Sequence, residues 1–341
     1  MKKKEQAKKL WDLCFNDDPA FTDLYFKKRY TDNNTIALSE QGAIVSVMQL
    51  LSYPLTYRQH VLPSSYVSGA CTDPKMRGKG LMSKLLKKAL GRLYKQGIPI
   101  CTLIPAHDWL FDYYGNSGFS TLFYNSFTTG DVNNIKNSNK DFLVAIEDEY
   151  SPNSYEYLEK KLLQKECSIL HTKDDYEVIL EDLKLAGGKV ITAYYLGNIV
   201  GITIAYLNSE ASTVYINELQ YDNESIKEFL IYKSCDYFNT DKFHITHHAN
   251  LDQGDPFGML RVVRALDMIN LYASENPHIK QEFYLKDSII KENTGYYNVS
   301  NGSVKFISCN TNDKKIREIS INELATLLFN KLHPYMSLML D

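Results

Sequence analysis

Ser68-Gly69-Ala70-Cys71-Thr72-Asp73-Pro74-Lys75-Met76-Arg77-Gly78-Lys79-Gly80-Leu81 reads as strand, tight glycine loop and helix start. Tyr66-Val67-Ser68 ahead of the loop is a short strand candidate. Behind it, apolar residues fall at Leu81, Met82, Leu85, Leu86, Ala89, Leu90 and Leu93, a helical stripe, and Gly97 sits where that helix should stop. The glycines therefore lie at a helix N-terminus and let the backbone approach a ligand. The first amides of a helix have no internal partner, and the macrodipole favours an anion beside them. A pyrophosphate is the guest this arrangement suits.

The loop is not a P-loop, because no Gly-Lys-Ser/Thr follows a first glycine at the required spacing. Nor is it the dinucleotide fingerprint, since Gly78-Lys79-Gly80 lacks a third glycine in place. Lys75-Met76-Arg77-Gly78-Lys79-Gly80 resembles the acetyl-CoA loop of the GNAT superfamily N-acetyltransferases, Arg/Gln-x-x-Gly-x-Gly/Ala. Lys75 stands where the family has Arg or Gln; it keeps the charge and loses the fork geometry. Arg77 and Lys79 add positive charge. From the loop alone, an ordinary strand–turn–helix with a glycine turn reads the same way.

A second segment separates the two. After Gly97 comes an apolar strand, Ile98-Pro99-Ile100-Cys101-Thr102-Leu103-Ile104, and then Trp109-Leu110-Phe111-Asp112-Tyr113-Tyr114-Gly115-Asn116-Ser117-Gly118-Phe119. This resembles the GNAT ending, a short helix carrying a Tyr four residues before a Gly-Phe pair. In that family the Tyr lies near the CoA sulfur and often acts as general acid, a role the match puts on Tyr114. Tyr113 beside it reads as a core residue with a satisfied hydroxyl.

The chain has 341 residues, enough for two or three domains, with 44% hydrophobic and 23% charged residues and a net charge of -3. That balance argues against nucleic-acid binding, for which a basic domain is expected. The apolar runs are too short for a membrane span, and no apolar signal region follows Met1-Lys2-Lys3-Lys4-Glu5, so a cytoplasmic protein is expected. Cys14, Cys71, Cys101, Cys167, Cys235 and Cys309 are scattered without Cys-x-x-Cys and read as reduced core residues, with no disulfide framework and no zinc site.

Two short helices separated by Pro19 are expected within residues 7–30, matching the helical pair that frames the acceptor site in a GNAT domain. Asp17, Asp18 and Asp23 either line that site or are solvated helix ends, the plainer reading for each. A hairpin is read around Ser39-Glu40-Gln41-Gly42, followed by a loop through Pro54 and Pro63. Residues 128–140 read as a linker. Beyond it the order repeats: helices over Tyr155–Leu170 and Asp174–Ala186, strands around Gly197-Asn198, a strand over Thr213–Tyr221, a helix over Ser225–Phe238 and a strand over Lys242–Thr246. The loop of this copy, Tyr221-Asp222-Asn223-Glu224-Ser225, has no glycine and two carboxylates, so it should not bind CoA. His244, His247 and His248 raise the question of a metal, but no cysteine or carboxylate pattern accompanies them, and packing or hydrogen bonding is expected.

The third part begins near Asp255-Pro256, with a helix expected over Phe257–Leu271, strands over Gln281–Leu285, Ser288–Lys291, Gly295–Val299 and Ser303–Ile307, and a capping box at Ser320-Ile321-Asn322-Glu323. Helix, small sheet, helix resembles the sterol-carrier-like domain of the Eis (enhanced intracellular survival) type acetyltransferases. The expected fold class is α/β (α+β): a catalytic GNAT domain over 1–130, a degenerate GNAT-like domain over 131–252 and a sterol-carrier-like domain over 253–341.

The resemblance implies acetyl transfer from acetyl-CoA to an amine of a small cationic molecule or peptide. Amides from Gly78 through Lys79, Gly80, Leu81 and Met82 to Ser83 would hold the pyrophosphate, with Lys75 and Arg77 beside it. A splayed strand would free the backbone of Ala70, Cys71 and Thr72 for the pantetheine and the acetyl carbonyl, and Trp109 and Leu110 would pack on the far side of the cofactor. Direct transfer is expected, since Cys71 has no paired His nearby in sequence. In Eis-type enzymes the terminal carboxylate returns to the active site as the base. The apolar tail at Met336, Leu338, Met339 and Leu340 suits a held end, so either the terminal carboxylate or the side chain of Asp341 could serve, unless the tail packs only for stability. Family members often form rings, so the resemblance leaves a homo-oligomer open, while no oligomeric state is read from the sequence itself; no metal is expected. The alternative is a non-catalytic CoA- or ligand-binding protein.

Overall fold

The computed structural model describes residues 2–135, 141–249, 253–308 and 316–340. Cys309 and Asp341 lie outside them, as do residues 136–140 of the expected linker. Two helices open the chain, α1 (Lys3–Cys14) and α2 (Pro19–Lys28). Asp18 accepts a hydrogen bond from the Ala20 amide, and Pro19 fills the first helical position of α2, where its missing N–H is not needed. Then come β1 (Thr35–Glu40), β2 (Ala43–Tyr57), β3 (His60–Thr72), α3 (Leu81–Lys95), β4 (Ile100–Leu103), α4 (Trp109–Gly115) and β5 (Ser120–Asp131). The second run holds β6 (Leu143–Glu147), α5 (Pro152–Leu163), α6 (Lys173–Leu185), β7 (Lys189–Tyr195), β8 (Asn198–Asn208), β9 (Thr213–Tyr221), α7 (Glu224–Phe238) and β10 (Lys242–Ala249). The last part holds β11 (Asp255–Val262), α8 (Ala265–Glu275), β12 (Gln281–Lys286), β13 (Gly295–Ser300), β14 (Ser303–Ile307), β15 (Glu318–Ser320) and α9 (Ile321–Phe329).

Eleven strands form one mixed sheet in the order β1-β2-β3-β4-β11-β5-β10-β9-β8-β7-β6, and four form a second in the order β14-β13-β12-β15. Alternation along β2 sorts its side chains. Val47, Leu51, Tyr53, Leu55 and Tyr57 face α1, α2 and the C-terminal helices, while Met48 and Leu50 face α3 and α4. The stripe read on α3 is its buried face: Leu85, Leu86, Ala89, Leu90 and Leu93. Each leucine there contributes about 1.5–3 kcal/mol of burial.

Four sequence readings are corrected. Pro54 and Pro63 are not in a loop; they pair across the β2–β3 hairpin. Neither needs a ladder N–H there, since Pro54 turns its carbonyl outward to the Leu170 amide and Pro63 precedes the first residue of β3 that pairs with β4. The expected linker is strand as far as Asp131, because Thr128–Asp131 pair with Lys242–Ile245 of β10. Phe257–Val262 is strand rather than helix: β11 lies between β4 and β5 and pairs with both. Ser288–Lys291 forms no strand, and a short 3-10 turn follows at Lys291–Asn293. The capping box at Ser320 and Glu323 is present at the start of α9.

Candidate active site

Parallel pairing of β3 with β4 covers only Ser64↔Ile100, Ser65↔Cys101 and Tyr66↔Thr102, while β3 runs on to Thr72. The edge of β3 from Val67 onward, which carries Ala70, Cys71 and Thr72, therefore has no ladder partner on the β4 side among the described residues. A bulge sharpens the parting. Val47 pairs with Cys71 and Gln49 with Ser68, so Gly69 and Ala70 together oppose Met48. Gly69 has φ of 58°, and a Cβ there would lie 2.0 Å from Trp11 Cζ3. Only glycine fits both the conformation and the space.

Past the opening, Pro74–Met76 forms a 3-10 turn that includes Lys75, whose amide donates to the Asp73 carboxylate at 2.9 Å. Arg77 Nε donates to the Thr72 carbonyl at 3.4 Å, and Lys79 reaches Met76 Sδ at 3.3 Å. Gly78 and Gly80 both have positive φ, and Gly80 is the N-cap of α3 with no side-chain cap. The amides of Leu81, Met82 and Ser83 thus begin a helix whose own sequence supplies no capping side chain.

α4 closes the other side. Trp109 is 64% exposed, and Leu110 packs against the α3 cluster. Tyr114 is buried among Leu85, Leu86 and Phe119, and burial, with Tyr113 and Cys101 adding to it, holds its phenol well above its ordinary value. Tyr113 is half-buried against the same cluster, and its hydroxyl is satisfied by Ser83 Oγ at 2.9 Å, a bond that ties α4 to the first turn of α3.

The α1–α2 side holds groups that had no motif to announce them. Tyr25 donates to Ser68 Oγ at 2.8 Å, and Gln49 is fully buried, with neither amide atom hydrogen-bonded among the described residues. Cys14 Sγ donates to the Thr72 carbonyl at 3.4 Å and hydrogen-bonds Cys71. That bond, with Arg77, draws the Cys14 thiol down to about 7 against the pull of burial, while Cys71 is held high by the same bond and by burial. Asp17 accepts from the Trp11 indole at 2.7 Å, Asp18 caps α2, and Asp23 is exposed beside Lys8. Arg29 of α2 pairs with Asp175 of α6 and lies over the Tyr53 ring.

The second run repeats the parting without the loop. β9 and β10 pair in parallel only through Ile216↔Ile245. The following helix is capped by its own chain, Asn223 accepting from the Ile226 amide, with Glu224 in its first turn. The histidines pack along β10: His244 stacks on Tyr215, His247 bonds Thr128 Oγ1 at 2.9 Å, and His248 lies against Tyr335. Among the described residues no cluster of three or more His, Cys, Asp or Glu could hold a metal ion, and no helix is long and apolar enough to cross a membrane.

Residues 1–122 match the acetyltransferase (GNAT) domain family. The N-terminal part of the chain is thus a GNAT acetyltransferase domain, and the enzyme class expected from the sequence, a GNAT-type N-acetyltransferase, agrees with it. Its general chemistry is acyl transfer. No curated protein matches the chain. Among solved structures, a GCN5-related N-acetyltransferase from Anabaena variabilis superposes with TM-score 0.76 at 14% identity, covering 97% of this chain and 96% of that one. One from Kribbella flavida gives 0.73 at 13% identity, covering 99% and 95%. Eis1 from Mycobacterium abscessus gives 0.71 at 12% identity, covering 95% and 86%. At these identities the likeness is one of fold, and it extends over nearly the whole chain.

Proposed function

We propose that the protein transfers the acetyl group of acetyl-CoA directly to an amine of a small cationic molecule or peptide. The observation that carries this reading is the uncapped N-terminus of α3 at the mouth of the parted strands: Gly80 supplies no side chain, and β3 and β4 separate after Tyr66 and Thr102. Amides from Gly78 to Ser83 receive the pyrophosphate, with Lys75, Arg77 and Lys79 adding charge. The free edge at Ala70, Cys71 and Thr72 bonds the pantetheine and the acetyl carbonyl, and Trp109 and Leu110 cover the far side.

The amine lone pair attacks the carbonyl carbon, and backbone N–H groups on the open edge stabilise the oxyanion. Its collapse breaks the C–S bond. Tyr114, kept protonated by burial, offers its O–H to the departing sulfur. Asp341 is assigned the amine proton; the residue before it, Leu340, packs with Phe21 and Leu24 of the helix pair. The division into a catalytic domain (1–130), a degenerate GNAT copy (131–252) and a sterol-carrier-like domain (253–341) belongs to this reading, with β11 lent to the large sheet. So does a cytoplasmic setting, which suits five free cysteines among the described residues.

The test is calorimetry with CoA followed by an amine screen for CoA release. One site per chain, abolished by Gly80→Glu, and release with at least one polyamine or peptide amine are expected. Absence of CoA binding overturns the reading; binding without release on any amine leaves a non-catalytic CoA-binding protein and overturns the transferase.

A further inference from the structure

Where β9 and β10 part, the second run and the C-terminal segment form a half-open cleft of about 510 Å³, lined in part by Lys165, Gln220, His248, Leu332 and Tyr335. That is the size of pockets that take small metabolites. Its floor is a closed polar network. Glu218, 1% exposed, accepts from Tyr335 Oη at 2.6 Å, Ser337 Oγ at 2.5 Å, Gln220 Nε2 at 2.7 Å and the Leu219 amide at 3.1 Å. Two groups lie beside this network. Both ring nitrogens of His248 are shielded from solvent and lack a hydrogen bond among the described residues. Lys165 lies with its ammonium 4.2 Å from the Tyr335 ring centre.

We propose that this cleft is a second ligand site, separate from the CoA loop, for a small monocarboxylate with an apolar body. The Lys165 ammonium and the His248 imidazole both line this space, and a neutral His248 holds one N–H without a partner among the described residues. A carboxylate presents two acceptor oxygens to such a pair. Burial holds His248 down at about 4, so it is neutral near pH 7, and burial also pulls Lys165 down while Glu218 draws it back up. Leu219, Leu332, Pro334 and Tyr335 form an apolar stretch of wall that suits an apolar body, beside the polar Gln220, Thr246, His247 and His333. A doubly charged anion is disfavoured by Glu218 beneath and Glu166 at the rim. The self-capped start of α7 leaves no phosphate seat here, so the site differs in chemistry from the one at α3.

The probe is benzoate, titrated into the full chain by calorimetry, with inorganic phosphate as the charge-only comparison. One saturable benzoate site per chain is expected, at least tenfold tighter than phosphate. Lys165→Met and His248→Phe should each weaken it at least tenfold while leaving CoA binding at α3 unchanged, and Lys165→Arg should retain it. In the wild-type protein the His248 ring nitrogen resonances should shift on addition of benzoate, a readout that does not depend on any variant folding. No saturable binding, phosphate binding as tightly, binding untouched by both variants, or a His248 ring that does not respond would each overturn the proposal.

Discussion

Arg261 and Asp287 form an ion pair that solvent does not reach: Nη2 lies 2.7 and 2.8 Å from the two carboxylate oxygens, and both side chains are 0% exposed. The pair joins three segments. Arg261 sits on β11 and donates through Nη1 to the Ser117 carbonyl at the end of α4, at 2.5 Å. Asp287 follows β12 and also accepts from the Ile289 and Ile290 amides and from Asn293 Nδ2. The arrangement explains Gly118, whose φ is 87° and where a Cβ would lie 1.6 Å from Arg261 Nη1.

Asp287→Ala leaves the Arg261 charge buried and unpaired. A loss of about 3–5 kcal/mol is expected in urea unfolding. The double variant Arg261→Met with Asp287→Leu should be less destabilised than Asp287→Ala alone, because it removes both charges. If the double variant is the worse of the two, the unpaired charge is not the cause.

Gly69→Ala meets Trp11 and a left-handed backbone together. Strain and overpacking give an expected loss of about 2–5 kcal/mol. Turnover should fall as well, because the bulge aims the open edge of β3. Wild-type stability by urea titration would show that Trp11 yields without cost.

Tyr114→Phe should lower turnover about a hundredfold or more while CoA affinity stays within twofold of wild type by calorimetry. The phenol is held protonated by burial, so the variant removes a donor that is present throughout the neutral range. Equal loss of affinity and turnover would assign Tyr114 to packing against α3 instead.

Cys14 should be the most reactive of the described thiols. Its thiolate accepts from Cys71 and faces Arg77, so the thiolate fraction rises with pH through about 7. Alkylation by iodoacetamide, followed by peptide mass spectrometry, should show a pH midpoint near that value. Cys101 and Cys167, raised by burial, should stay unmodified. Arg77→Gln should move the Cys14 midpoint upward, and an unchanged midpoint would remove Arg77 as a cause.

The loop and α3 were legible because a glycine pair and a helical stripe each have a local cause. The same holds for the Ser320–Glu323 cap. β11 was not legible. Met259, Leu260, Val262 and Val263 are all buried, since β11 lies between two strands and is covered on both faces. A run buried all round has no alternation and, joined to Leu266 and Ile269 of α8, falls into helical spacing. Tyr25 and Ser68, or Cys14 and Thr72, meet only through the fold. No spacing in the chain brings them together, so the groups facing the open edge of β3 came from the structure alone.

The insertion of β11 also sets the order in which the molecule can be made. β4 and β5 are not neighbours in the sheet; each pairs with β11, so Ile100 must wait for Val262. A chain emerging from the ribosome has the CoA loop and α4 early, yet the sheet beneath them stays split until the last quarter is synthesised. Such long-range closure is slow and exposes strand edges meanwhile. The N-terminal half is therefore the first part to be translated and among the last to be finished, and a fragment ending before β11 would present two raw edges to any chaperone that meets it.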